Sequence, residues 1–258
     1  MIRRIARCAV ALALLPAAWP LARAQRPMPT PVPWAGGEFL EYDVSFGFFH
    51  AGSARMEVLG TDTIRGRIAW RLRFNVTGGV WPCRVNDFYD SWLDTETLNS
   101  LRFQQNIREC SYKKLRIYEI FPDRQEFIEQ AKEPLPGVER PLDDASFFFF
   151  LRTIPLEVGK SYEFNRYYDK KANPVVIRVV RKEHLDLPAG PFDAIVLRPE
   201  IKGAALFPKD GGAEIWLSDD HRHILLQMNT KLGIGSISLY LKTIRMSPEV
   251  APAPAPRP

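Results

Sequence analysis

Cysteine and histidine are scarce in this 258-residue chain, which contains three of the first and four of the second. A structural zinc site needs about four converging ligands, and a disulfide-stapled scaffold needs many cysteines. Long apolar runs are also lacking, because Cys8–Leu15 is far shorter than the roughly 20 residues that span a bilayer. These shortages argue against a zinc module, a disulfide-rich mini-domain and an integral membrane span, and the sequence predicts neither metal nor cofactor.

The first 24 residues have the three parts of a secretory signal peptide. Arg3 and Arg4 form a basic start, Cys8–Leu15 is a short apolar run, and Ala22-Arg23-Ala24 matches an A-x-A cleavage site. We therefore expect cleavage after Ala24 and a periplasmic or otherwise exported mature protein.

Removal of residues 1–24 changes the charge of the chain. Four of the 35 basic residues leave with this segment and none of the 30 acidic ones does, so the formal charge falls from +5 to +1. The basic footprint that nucleic acid requires is then missing, and we expect no nucleic-acid partner.

Proline-rich segments flank the remaining sequence. Residues 25–35 and 247–258 alternate proline with small or polar residues, a composition that favours extended chain with little to bury. Between them, residues 36–246 are predicted to form a single β domain, a size that suits one core.

Alternation of apolar and polar residues predicts the fold class. Its clearest example is Ile68–Val76, in which every second residue is large and apolar. Further alternating runs are Leu40–Phe46, Ala54–Val58, Arg84–Leu93, Leu101–Cys110, Leu115–Phe121, Tyr162–Tyr168, Val175–Val180, Ala194–Arg198, Ala213–Leu217, Ile224–Met228 and Ile237–Leu241. About a dozen antiparallel strands predict a mainly β protein, either a curved half-barrel or a closed barrel.

The two cysteines outside the signal segment lie symmetrically about one predicted hairpin turn, residues 94–99. With that turn as centre, Trp92 faces Leu101, Phe88 faces Gln105, and Cys83 faces Cys110. Opposed residues of antiparallel strands are close enough for a disulfide, and an exported protein permits one. We therefore predict a Cys83–Cys110 disulfide, with two buried free thiols as the alternative.

One segment, residues 143–152, departs from the β pattern. Asp143 suits a helix N-cap and Pro155 ends the segment, so a helix of about 2.5 turns is predicted. Because four consecutive phenylalanines point in all directions around it, this helix has no face for water. It either plugs the barrel as core or acts as a lid over an apolar ligand cavity.

Several stretches resemble an exported bacterial family known as domain of unknown function family 3108. They are Ala35–Val44 with Gly47 and Ala51–Ala54, Val85–Phe88, the helix residues Asp143, Ser146 and Arg152, Pro188–Phe192, and Ile215–Asp220. The resemblance implies an envelope-resident β domain without an assigned activity.

Binding without catalysis is the function that these features favour. An open barrel with a helical lid is similar to periplasmic lipoprotein carriers, so the leading hypothesis is a lipid or other apolar small molecule as partner. Its predicted ligand-binding residues are Phe147, Phe148, Phe149, Phe150, Trp70 and Trp81. The alternative is a protein or cell-wall interaction module with a solidly packed barrel, and an envelope hydrolase comes third. The oligomeric state is left open.

Other clusters of polar residues favour structural roles. Asp219, Asp220, His221 and His223 could ligate a metal, but such a cluster is more typical of a polar turn, in which Asp219 would bond backbone amides. Asp143, Ser146 and Arg152 could hold a polar headgroup, although they also suit the two ends of a helix. Trp216 is expected in the core, on the face opposite an exposed Ile215.

Overall fold

The computed structural model describes residues 30–79, 81–200, 212–232 and 235–246. The predicted signal peptide and the segment 247–258 lie outside the described residues.

Within these ranges the chain forms fourteen strands and one α-helix. The helix α1 is Asp144–Leu151. The strands are Phe39–Phe46 (β1), Phe49–Ile64 (β2), Arg67–Gly78 (β3), Val85–Asp94 (β4), Ser100–Glu109 (β5), Tyr112–Phe121 (β6), Glu126–Glu129 (β7), Leu135–Pro136 (β8), Ser161–Phe164 (β9), Val175–Leu187 (β10), Gly190–Glu200 (β11), Ala213–Ser218 (β12), Leu225–Leu232 (β13) and Gly235–Arg245 (β14).

All fourteen strands belong to one antiparallel sheet with the order β8-β7-β6-β5-β4-β3-β2-β1-β14-β13-β12-β11-β10-β9. Strands that are consecutive in sequence are neighbours in the sheet, apart from β8 and β9, and the first strand pairs with the last. β8 and β9 are end strands that do not pair with each other in the described part of the chain. The mainly β prediction is confirmed and the sheet is open, so the half-barrel was the correct alternative and the closed barrel the wrong one.

The sheet curls around α1, as the contacts of two aromatic side chains of this helix show. Phe148 of α1 packs against Phe74 of β3, with ring centroids 6.0 Å apart, and Phe150 packs against Phe164 of β9 at 5.1 Å. β3 and β9 are eight places apart in the sheet, which in a flat sheet would be about 38 Å at about 4.8 Å per strand. A helix only about 10–12 Å wide can reach both only if the sheet wraps around it.

One predicted strand is shorter than expected. The run Tyr162–Tyr168 is a strand only over Ser161–Phe164. The Asn173 side chain accepts a hydrogen bond from the Tyr167 amide and donates one to the Tyr167 carbonyl, both at 2.9 Å. These bonds occupy backbone groups that a longer strand would have used for pairing.

The β4–β5 hairpin has the predicted turn but not the predicted register. Trp92 faces Arg102 and Phe88 faces Asn106, one residue away from the expected partners Leu101 and Gln105. The shift comes from a bulge at the turn end of the hairpin. Leu101, the extra residue, is buried with Trp92 and Ala69 in a small apolar cluster, and this burial favours the bulge.

The predicted disulfide is confirmed in spite of this shift. Cys83 and Cys110 are bonded, with their Cα atoms 4.3 Å apart. Cys110 lies in the turn after β5, and its amide donates to the Arg84 carbonyl at 2.8 Å. The bond therefore links the β3–β4 loop to the β5–β6 turn.

Reduction should destabilise the protein. The bond spans 27 positions, and a loop of this size is worth about 3–4 kcal/mol in the chain-entropy model. We expect intact mass after alkylation under native oxidising conditions to show no label on Cys83 or Cys110, and urea melts with and without reductant to differ by about that amount. Two alkylated thiols in the oxidised sample would contradict the structure.

Trp216 in β12 is buried, as predicted, and is 4% exposed. The expectation of an exposed Ile215 was wrong, since Ile215 is 0% exposed. β12 is an inner strand of the sheet, and the outer face at Trp216 is covered by Arg181, whose guanidinium lies 5.9 Å from the ring, and by Glu183, which accepts a hydrogen bond from the indole. Both faces of this strand are therefore shielded from water.

The turn after β12 is held by a different aspartate from the one predicted. Asp220 accepts hydrogen bonds from the Ser218 hydroxyl at 2.7 Å and from the Arg222 amide at 3.0 Å. Asp219 instead pairs with Lys182 at 2.6 Å. The turn is therefore held by Asp220, and the prediction that Asp219 holds it was wrong by one residue.

Trp216→Ala should cost about 3–5 kcal/mol of unfolding free energy, because it removes a large packed side chain from the sheet. Trp81→Ala is the matched control, since Trp81 is 90% exposed and its loss should change stability by less than about 0.5 kcal/mol. Equal effects of the two substitutions in urea melts would show that Trp216 is not a core residue.

Candidate functional site at the end of the buried helix

The amino terminus of α1 is capped and anchored by Asp143, which is 0% exposed. Its carboxylate accepts hydrogen bonds from the amides of Ala145 and Ser146 at 3.0 and 2.9 Å, and the Ser146 hydroxyl accepts one from the Asp143 amide at 2.8 Å. This reciprocal pair is a capping box. The second carboxylate oxygen accepts from the Ser91 hydroxyl of β4 at 2.6 Å, which fixes the helix to the sheet.

The carboxyl terminus of α1 is anchored by a buried ion pair. Arg152 binds both oxygens of Glu38, at 2.5 and 3.1 Å, and the two residues are 3% and 2% exposed. The guanidinium also donates to the carbonyls of Pro33 and Arg222 at 3.1 and 2.9 Å. The two ends of α1 are therefore anchored by Asp143, Ser146 and Arg152. The polar groups of these side chains already have partners within the protein, which argues against the alternative of a headgroup site.

The four phenylalanines of α1 are all buried, with exposures of 1–7%. Phe149 packs edge-on against Trp34 with centroids 5.4 Å apart. Trp34 itself is 3% exposed and Val32 packs against the same core, so part of the proline-rich segment contacts the core. Phe147 lies in the same main core cluster.

The two tryptophans predicted to share the ligand site do not join these rings in one place. Trp70 lies on β3, half-buried at the margin of the main core. Trp81 is 90% exposed in the loop between β3 and β4. An indole that exposed cannot pack against the buried helix, so Trp81 is separated from the phenylalanines, and Trp70 meets only the margin of their core cluster.

Phe150 differs from the other three rings because it lines an open cleft. The cleft has a volume of about 870 Å³ and lies beside the end of α1, next to the β4–β5 turn. Leu98, Phe150 and Ile154 contribute apolar surface to it. Arg140 and Arg166 contribute guanidinium groups. Glu96, Asp123 and Glu139 also line the cleft, so apolar, cationic and acidic groups meet there.

Arg166 is the unusual member of this cleft, since it is only 6% exposed. Its guanidinium donates to the carbonyls of Arg140 and Leu98 and to the Asn99 side chain, and it lies 4.5 Å from the centre of the Phe150 ring. In the described part of the chain, no carboxylate forms an ion pair with it.

The electrostatics of Arg166 follow from this environment. Burial, and then the positive charge of Arg140, lower the pKa of the guanidinium to about 10. Arg166 is still charged at neutral pH, and a buried charge without a counter-ion is costly. A negatively charged group bound in the cleft would relieve that cost.

Sequence reasoning missed Arg140 and Arg166 as residues of the cleft. Arg166 lay in a run predicted to be a strand, and Arg140 lay outside every predicted element. Nothing in the local pattern marks either residue, because the β4–β5 turn that meets them is more than 40 positions away along the chain.

The turn at residues 219–223 does not assemble a metal site. Asp220 is engaged by Arg222 and Ser218, and burial lowers the pKa of the His223 imidazole. Among the residues that the structure describes, no three histidine, cysteine, aspartate or glutamate side chains converge.

Comparison with known families gives one match. The model of the family described as "Protein of unknown function (DUF3108)" matches residues 41–242. The chain belongs to this family. It is the family that the motifs around Gly47, Asp87 and Trp216 resemble. No curated protein sequence matches the chain.

A solved structure with the same fold has low sequence identity to this chain. A β-barrel-like protein of the family DUF1849 from Brucella abortus has a TM-score of 0.54 and 10% identity, and the match covers 84% of this chain and 100% of that one. A candidate exported protein with a YmcC-like fold from Bacteroides fragilis has a TM-score of 0.32 and 9% identity, covering 84% and 100%. A candidate lipoprotein from Parabacteroides distasonis has a TM-score of 0.35 and 10% identity, covering 83% and 98%.

In the described residues, no helix is both long and apolar enough to cross a membrane.

The buried cap Asp143 should make stability depend on pH. Burial raises the pKa of its carboxyl to about 6, against the hydrogen bonds from Ser146 and Ser91, which lower it. Because the folded state favours the protonated form, this contribution to stability is complete below about pH 4 and is lost as pH rises through about 6.

Asp143→Asn should remove that dependence while keeping the cap, because its amide oxygen can still accept from the helix amides. Between pH 5 and pH 7.5, the unfolding free energy of the wild type should fall by on the order of 1–2 kcal/mol relative to that of Asp143→Asn. Asp123→Asn, at a carboxylate that is 88% exposed, is the control. Parallel pH profiles for wild type and Asp143→Asn would refute the assignment.

Proposed function

We propose that this protein is exported and binds a lipidic envelope molecule with an anionic group, without transforming it. The observation that carries the proposal is the pairing of Phe150 with Arg166 in one cleft. There an apolar ring lies 4.5 Å from a buried guanidinium that pairs with no carboxylate of the described residues. Export is supported by the basic start, apolar run and cleavage site of residues 1–24.

The size and lining of the cleft suit an amphiphile. Ligand pockets for small molecules have volumes of about 300–1,000 Å³ and combine apolar walls with a few polar groups that fix orientation. The cleft of about 870 Å³ has Leu98 and Ile154 for an acyl segment, and Arg166 and Arg140 for a carboxylate or phosphate. Arg67 is a weaker candidate because Asp94 already binds its guanidinium at 2.6 Å.

An interaction module is the second candidate, and one observation favours it. Phe147, Phe148 and Phe149 are 1–3% exposed and none of them lines the cleft, which is the solid packing that this alternative predicts beneath the helix. The carrier proposal is therefore confined to the Phe150 side of α1.

Hydrolysis is the least favoured function. The serines nearest to the helix, Ser91, Ser100 and Ser146, are each 0% exposed and bond to Asp143 or to one another. Hydroxyls buried in this way cannot meet a substrate.

Two measurements test the binding proposal. Native mass spectrometry of the protein purified from its own envelope should show a co-purified lipid. A fluorescent fatty acid should bind the purified protein about tenfold more tightly than its methyl ester, because only the acid offers a charge to Arg166 and Arg140.

Ile154→Trp should block that binding, since Ile154 is a half-buried residue of the cleft and the larger ring fills it. Leu135→Trp, at an exposed apolar residue that does not line the cleft, is the control. Equal affinity for acid and ester, or an unchanged affinity in Ile154→Trp, would exclude the cleft as the ligand site.

Alanine substitutions along α1 separate the carrier from the interaction module. Phe147→Ala, Phe148→Ala and Phe149→Ala should each cost about 3–5 kcal/mol. Phe150→Ala should cost less, about 1–2 kcal/mol, and should weaken probe uptake, because one side of its ring faces the cleft. Four equally large losses in urea melts, with no probe uptake by the wild type, would leave the interaction module standing.

A further inference from the structure

Three consecutive connections lie side by side at the end of the sheet away from the cleft. They are the β1–β2 turn, the β3–β4 loop and the β5–β6 turn. The Gly79 amide donates to the Ala51 carbonyl at 2.8 Å, which joins the first two, and the Cys83–Cys110 disulfide joins the last two. Since neighbouring connections are two strands apart, they stand in a row at intervals of about 10 Å.

Large aromatic side chains project from all three connections into solvent. Phe48 and Phe49 are 104% and 74% exposed, Trp81 is 90% exposed and Tyr112 is 50% exposed. We name these four residues the aromatic rim. A single exposed aromatic residue is ordinary, but a row of them on adjacent turns marks an interaction site.

The rim is held in place before it meets any partner. Gly52 and Gly78 face each other so closely across β2 and β3 that a Cβ atom on either one would collide with the opposite backbone. The disulfide fixes the next pair of connections. A pre-ordered surface loses little conformational entropy on binding.

Cationic side chains surround the rim. Arg84, Arg108, Lys113 and Lys114 are exposed in or beside the β3–β4 and β5–β6 connections, together with one exposed carboxylate, Glu109. Within the described residues none of the four cations forms an ion pair. The carboxyl of Glu109 contacts that of Asp87, and its pKa is raised first by partial burial and then by this contact.

We propose that the aromatic rim docks on the surface of an anionic lipid bilayer. Tryptophan and tyrosine favour the interface between headgroups and acyl chains, where an apolar ring and a polar edge are both satisfied. Lysine and arginine beside them attract anionic headgroups, each worth about a fivefold change in affinity. The rim has both properties on one edge, whereas the exposed apolar residues Leu59 and Ile68 at the opposite end of β2 and β3 are not matched by a row of aromatic turns.

The docking orientation would leave the cleft accessible. Cys83 and Cys110 lie at one end of the β4–β5 hairpin and the turn that borders the cleft lies at the other. Each strand has 10 residues, which places the two ends about 30 Å apart. The docking proposal does not depend on the cleft being a ligand site.

Sedimentation with vesicles tests the proposal. The protein purified without its signal segment should bind vesicles of phosphatidylcholine with 30% phosphatidylglycerol, and should bind pure phosphatidylcholine vesicles at least tenfold more weakly. Phe48→Ser, Phe49→Ser and Trp81→Ser combined should reduce binding to the anionic vesicles by more than tenfold. Lys113→Gln and Lys114→Gln should reduce it about fivefold each.

The matched control is a combination of Leu59→Ser, Ile68→Ser and Val158→Ser, three apolar residues that are 42–55% exposed away from the rim. It should leave vesicle binding unchanged, and urea melts should show that both triple variants are folded. Vesicle binding that survives loss of the rim, binding that ignores lipid charge, or no binding at all would overturn the proposal. The fatty-acid titration is repeated on the rim variant to separate the two proposals. Fatty-acid binding in the cleft should be unchanged by the rim substitutions.

Discussion

The constraint on which the structure depends is a helix that has no side for water. Every residue of α1 from Ala145 to Leu151 is buried, and four of these are phenylalanines that point in different directions. Such a helix is stable only when apolar surface surrounds it. The sheet supplies that surface by curling until strands as distant as β3 and β9 touch the same helix. Curvature, core and cleft all follow from this one element.

Placing both ends of a helix inside a protein creates a second requirement, because its free amides and carbonyls must find partners there. Asp143 satisfies the first turn and attaches it to Ser91 of β4. Arg152 ties the last turn to Glu38, at the entrance to β1. These contacts join the helix to two different parts of the sheet. They also explain why conspicuous charged residues of the helix are structural, while Arg166, outside the helix, is a buried cation with no carboxylate partner among the described residues.

The open sheet has two ends with different properties. At one end the curl leaves a cleft lined by apolar, cationic and acidic residues, where Phe150 and Arg166 meet. At the other end, tight turns fixed by Gly52, Gly78 and the disulfide present aromatic rings and lysines to solvent. A protein that rests on a lipid surface at one end and holds an amphiphile at the other is consistent with both arrangements. The two proposals rest on different residues and can be tested apart.

What the sequence determined by itself was local. Alternation of side chains indicated the strands, four phenylalanines after Asp143 indicated a buried helix, and symmetry about residues 94–99 indicated the disulfide, because each of these patterns reflects neighbours along the chain or across one turn. The bulge at Leu101 depended on packing, and the short β9 and the choice of Asp220 over Asp219 depended on side-chain hydrogen bonds that alternation does not reveal. The opening of the sheet and the meeting of Phe150, Arg166 and the β4–β5 turn were decided only in the tertiary structure. The physical reason is that contacts between residues more than 60 positions apart leave no periodic trace in a sequence.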